Sequence, residues 1–151
     1  MSGEAWRRVI ESGILDRPPA ECAEPPPEGL LDGIRLFNAG EYYECHESLE
    51  AIWLEERGPI RYLYQGILQI GVGFHHLGND NFRGARILLE NGIAKIDRFQ
   101  PACMNVDTRR LRDEAQACLE RLLDLGPERI GEFDWEMVPK VRMVDRAPDH
   151  P

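Results

Sequence analysis

The sequence predicts an all-α fold, a compact multi-helical bundle of about five or six antiparallel helices. Three observations predict it. Apolar residues recur at three- and four-residue spacing through most of the chain. No stretch alternates strictly enough to read as a strand. The turns between periodic segments are short and marked by glycine, asparagine or proline, which makes consecutive helices antiparallel neighbours. The 151 residues suffice for one domain with a real core, so residues 1–151 are read as a single domain.

Each element follows from its residues. Trp6, Val9, Ile10 and Ile14 space a short helix over residues 3–15. The segment DRPPAECAEPPPEG, Asp16 to Gly29, carries five prolines; it cannot continue a helix and reads as an extended strap over the surface. Leu30, Ile34 and Phe37 form the stripe of a helix from Glu28 to Asn38, which Asn38-Ala39-Gly40 stops. The next helix spans about Glu41 to Glu56. Pro59 then starts PIRYLYQGILQIGVGFHHLGN, which is apolar nearly all round and therefore central and buried. A helix from Asn81 to about Phe99 turns Phe82, Ala85, Leu88, Leu89, Ile93 and Ile96 inward. Asp107 caps a last one to about Leu125, with Leu111, Ala115, Cys118, Leu119 and Leu122 inward. Beyond Gly126 an extended tail is expected to pack Phe133, Trp135 and Val138 on the bundle. NAGEYYECHESLEAIW and GNDNFRGARILLENGI share a look, as a degenerate pair of helical hairpins would.

Composition narrows the function classes. The net charge of −9 argues against nucleic acid as a partner, because affinity for it comes largely from neutralising phosphates. No apolar run is long enough to span a membrane, and the N-terminus lacks the basic-then-apolar order of a secretory signal. Cys22, Cys45, Cys103 and Cys118 have no CxxC spacing; they read as reduced thiols of a cytoplasmic protein. Of 18 cationic residues only Lys95 and Lys140 are lysine, a balance that fits a salt-loving source or a GC-rich genome.

The stretch HESLEAIW, residues 46–53, raises the functional question. At about 100° per residue, Tyr42, Cys45, Leu49 and Ile52 make an apolar arc. His46 and Trp53 flank it, and Glu50 lies slightly beyond. Folding this helix back on the next at Arg57-Gly58 sets position 46 against Gln69, 50 against Gln65 and 53 against Tyr62. Gln65, Gln69, Val72 and His76 share one stripe. A polar seam of His46, Glu50, Gln65 and Gln69 inside an apolar helix pair is the expectation. A carboxylate there must find a partner or change its pKa.

FNAGEYYECHESLEAIW, followed by YLYQGILQIGVGFHHLGNDNFRGA, resembles the domain of unknown function family 309 over roughly residues 37–99. The resemblance implies an all-helical protein without an established activity. It implies a metal-binding role for HxxxExxW, at His46, Glu50 and Trp53 here. Gln65, Gln69, His76, Asn81, Gly84 and Ala85 look like further matches, whereas His75 stands where an aromatic is expected.

Three readings compete. In the favoured one the seam is structural and fixes the register of two core helices, either alone or as the support of a binding surface used by a protein partner or a homodimer. The alternative is a divalent metal (zinc, manganese or nickel) held by His46 and Glu50, in a metal-dependent hydrolase. Yet structural zinc wants four ligands and catalytic zinc usually three with water, and His76 lies seven residues beyond Gln69. Catalysis without metal lacks a nucleophile elbow or phosphate loop. Gly71-Val72-Gly73 serves close helix packing, and Arg109-Arg110-Leu111-Arg112 is a solvated face. His76 reads as a cap on carbonyls at its helix end. If Glu50 is buried and ionised, Glu50→Ala costs about 3–5 kcal/mol; a loss below about 0.5 marks an exposed position.

Overall fold

Five α-helices begin and end close to where the local chemistry places them: α1 Glu28–Asn38, α2 Tyr42–Glu55, α3 Arg61–Gly78, α4 Phe82–Asp97 and α5 Thr108–Leu125. This is a computed structural model that describes residues 18–144. The helix expected over 3–15 lies outside the described residues. Among the described residues there is no strand, only isolated bridges joining Val106 to Cys103 and to Met143. Asp107 caps α5 by accepting from the Arg110 N–H at 3.0 Å, and Asn81 caps α4 by accepting from the Gly84 N–H at 3.0 Å.

Each helix packs on the next in the chain, and α3 lies between α2 and α4. Its burial on nearly every side explains why its sequence shows so little polar face. The α3–α4 approach is close: a Cβ on Gly92 would sit 2.8 Å from the Gly66 carbonyl oxygen and 2.9 Å from the Ile70 nitrogen. Gly73 plays the packing role expected of it, since a Cβ there would meet Leu89 Cγ at 2.9 Å.

The two similar segments prove to be equivalent hairpins, offset by 40 residues. Both turns close with the same bond, Glu41 N–H to Leu36 O and Asn81 N–H to His76 O, each 2.9 Å. Both pass through positive φ, at Gly40 (+77°) and Asp80 (+57°), as a Schellman-type helix end requires. Gly33 lies under Leu49 in the first hairpin as Gly73 lies under Leu89 in the second.

Three expectations need correction. The strap contains a 3-10 segment, Ala20–Ala23, and the tail contains two, Pro127–Glu132 and Trp135–Met137, so neither is wholly extended. Phe133 is buried and Val138 packs on the core, but Trp135 is 47% exposed. The cysteines are not all reduced: Cys22 and Cys103 form a disulfide that ties the strap to the segment between α4 and α5. Cys45 and Cys118 are free and buried, and burial pushes both thiols up to about 12.

Candidate functional site

One turn of α2 stacks His46 and Glu50, and they bond to each other: His46 Nε2 lies 2.8 Å from Glu50 Oε2. Their side chains are 35% and 43% exposed, so the pair sits at the surface of α2 rather than inside a seam. With Nε2 turned to the carboxylate, Nδ1 of the neutral ring is the remaining acceptor. Glu50→Ala is therefore expected to cost less than about 1 kcal/mol, the range of exposed ion pairs, and not the 3–5 of a buried one. Urea denaturation of the two proteins measures the difference.

The hairpin equivalence sharpens this. Forty residues on, positions 86 and 90 carry Arg86 and Glu90, again an i, i+4 pair at 2.8 Å, with side chains 37% and 45% exposed. His46–Glu50 thus occupies a place that the second hairpin fills with an ordinary surface ion pair. What differs is the partner of the glutamate, an imidazole in the first hairpin and a guanidinium in the second.

The glutamines belong elsewhere. Gln65 and Gln69 are buried, and Gln69 Oε1 accepts from Lys95 Nζ on α4 at 2.9 Å. The predicted continuous seam is split: one side is the surface pair on α2, the other a buried amide–ammonium contact between α3 and α4. The glutamine stripe of α3, expected to face α2, instead brings Gln69 to α4. Gln65 Oε1 finds no donor among the described residues. Trp53 is half-buried against the core, and the Arg61 guanidinium lies 4.7 Å from its ring centroid, a cation–π contact. The sequence reading missed Lys95; its signal was a lysine, one of two in the chain, on the buried side of α4 next to Ile96.

His76 has a fixed role. Asn81 Oδ1 is taken by the Gly84 N–H, which turns the Asn81 amide NH₂ toward His76 Nδ1, 3.3 Å away. The amide donates, so Nδ1 is the acceptor and the neutral ring carries its hydrogen on Nε2, a tautomer assigned from the network. Burial, and then the neighbouring His75, hold its pKa below the usual histidine value. Gly84 permits this seat, since a Cβ there would come within 2.9 Å of His76 Cγ. The expectation that the His76 side chain caps carbonyls is replaced by this bond. His75, given no role from sequence, bonds Asn79 at 3.3 Å and lies 6.1 Å ring to ring from Tyr43, itself 6.2 Å from His46. Among the described residues, no group of three or more His, Cys, Asp and Glu side chains is arranged to hold a metal ion. Nor is any described helix long and apolar enough to cross a membrane.

Residues 30–88 match the model of a family described as Domain of unknown function (DUF309). Over 100 residues the chain is 31% identical to Uncharacterized protein YpuF of Bacillus subtilis (strain 168), a match that covers 64% of this chain and 58% of that protein. The chain therefore spans less than two thirds of that relative's length. The span matched by the family model, 30–88, overlaps the 37–99 expected and contains both hairpin turns together with His46, Glu50, Trp53, Gln65, Gln69 and His76. It ends before Lys95 and Trp135.

Proposed function

We propose, for a chain whose residues 30–88 match the DUF309 family model, that HxxxExxW serves the fold and a binding surface, not a reaction. The observation that carries this is the equivalence of His46–Glu50 with Arg86–Glu90 in position, spacing and exposure. A pair that the other hairpin replaces by arginine and glutamate is accounted for as helix-surface stabilisation. The surface it supports is the end of the bundle where His46, Tyr43 and His75 emerge side by side. The acidic balance of the chain argues against a nucleic-acid partner, and a protein surface or a second copy fits better. Cytoplasmic residence belongs to the same reading, and there the Cys22–Cys103 disulfide would be held reduced.

Melting of chelator-stripped protein against zinc, manganese and nickel tests this. The expected result is an unchanged melting temperature with each ion. His46→Arg, which copies the second hairpin, is expected to stay within about 0.5 kcal/mol of the parent. A second reading keeps the metal at His46 and Glu50. What favours it is that Nε2 and Oε2 converge at 2.8 Å on a half-exposed face that an ion can reach. A melting temperature that climbs with metal concentration, and stops climbing in His46→Ala, would replace the first reading by the second through linkage.

A further inference from the structure

The C-terminal segment lays an indole beside the first turn, which is bare at Gly40, and beside Gly78 at the end of α3. Nothing lies within 4 Å of where a Cβ of Gly40 would be, in the first turn. Before the second turn, a Cβ on Gly78 would lie 3.7 Å from the Trp135 ring. Trp135 is held by an edge-on contact with buried Phe133, ring centroids 5.8 Å apart, and by the local turn in which Asp134 Oδ1 accepts from the Glu136 N–H. Even so, 47% of it faces water. Two open cavities adjoin it. One, about 400 Å³, reaches Asn38, Glu136 and Lys140; the other, about 370 Å³, reaches Phe74, His75 and Asn79. Gly40, Tyr42 and Trp135 line both, which makes them two halves of one cleft. Each half falls in the size range of small-molecule sites.

We infer that this cleft binds a neutral planar heteroaromatic ring with an amide-like edge, stacked on Trp135 beside Tyr42. Planarity follows from the walls: an exposed indole offers a flat face, Tyr42 lines the cleft beside it, and Gly40 and Gly78 add no side chain there. The hydrogen-bonding edge follows from His75 and Asn79. Asn79 Nδ2 lies 3.3 Å from His75 Nε2; with the amide donating there, Asn79 Oδ1 is left as an acceptor. An aliphatic ligand would cover these polar groups without satisfying them. Neutrality follows from charge: Glu136 and Lys140 both line the other half, Lys140 Nζ donates to the Asn38 carbonyl at 2.8 Å, and the chain as a whole is acidic. The cleft uses neither His46 nor Glu50, so it stands or falls apart from the metal titration.

Adenine and nicotinamide are suitable probes, titrated into the ¹⁵N-labelled full chain while the three tryptophan indole N–H signals are followed. Trp135→Phe identifies the Trp135 signal. The expected result is a saturable shift of that signal with at least one probe, while the Trp53 signal stays in place. Affinity should fall about tenfold or more in Trp135→Ala, the usual loss when a stacking aromatic is removed. It should also fall in Asn79→Ala, which leaves the core untouched and carries the test if Trp135→Ala does not fold. No saturable shift with either probe, or unchanged binding in Asn79→Ala, overturns the inference.

Discussion

Reduction of the Cys22–Cys103 disulfide is expected to lower stability by about 4 kcal/mol, the largest single loss this fold predicts. The two cysteines are 81 residues apart, and the loop they close contains α1 to α4 entire. Opening such a loop returns chain entropy to the unfolded state, about 4.5 kcal/mol by the loop-length relation and roughly 2–5 in practice. The neighbouring tie of the strap, the Met104 N–H donating to the Cys22 carbonyl at 2.8 Å, is worth only about 1 kcal/mol. Urea denaturation with and without reductant, alongside Cys22→Ser and Cys103→Ser, measures the effect. All three perturbations should agree, because Cys45 and Cys118 are buried and removed from exchange. A loss below about 1 kcal/mol on reduction would mean that the unfolded chain gains little from opening the loop. A cytoplasmic home would keep the protein reduced and leave its helices to the apolar core alone.

The helices were legible because their signals are local. The spacing of Leu30, Ile34 and Phe37, the Asp107 cap and the Gly40 turn each act within a few residues, and each predicted boundary lies within two residues of the observed one for α1 to α5. The seam was not legible, because it depended on how α3 is rotated between two neighbours. Gln69 reaches Lys95 on α4, and no periodicity within α3 says which neighbour a buried stripe faces. The disulfide was hidden for the same reason, its partners being far apart in sequence. The hairpin repeat was half visible: the shared aromatic after each turn could be read, whereas the equivalence of His46–Glu50 with Arg86–Glu90 needed the shared turn geometry to set the offset.

Lys95 should make the protein more stable as pH rises from about 8 to about 10.5, the reverse of what its buried thiols and tyrosines do. The side chain is 3% exposed, and burial lowers its pKa from 10.5 to about 8. Across that window the unfolded chain binds the extra proton, so stability increases with pH; it is fully present above the unfolded pKa and lost as pH falls toward 8. A gap of that size corresponds to roughly 3 kcal/mol. Cys45, Cys118, Tyr42 and Tyr64, pushed up to about 12 by burial, lose stability as pH climbs past their unfolded values. Comparison with Lys95→Met removes their common contribution. The difference in unfolding free energy between parent and variant, measured in urea from pH 7 to 10.5, is expected to move in favour of the parent as pH rises. Parallel curves would show that Lys95 keeps its full charge in the fold. Methionine also leaves Gln69 Oε1 without the ammonium donor, a cost of about 1–3 kcal/mol. That cost does not vary with pH, so it shifts the difference curve without tilting it, and the tilt alone reports the lysine.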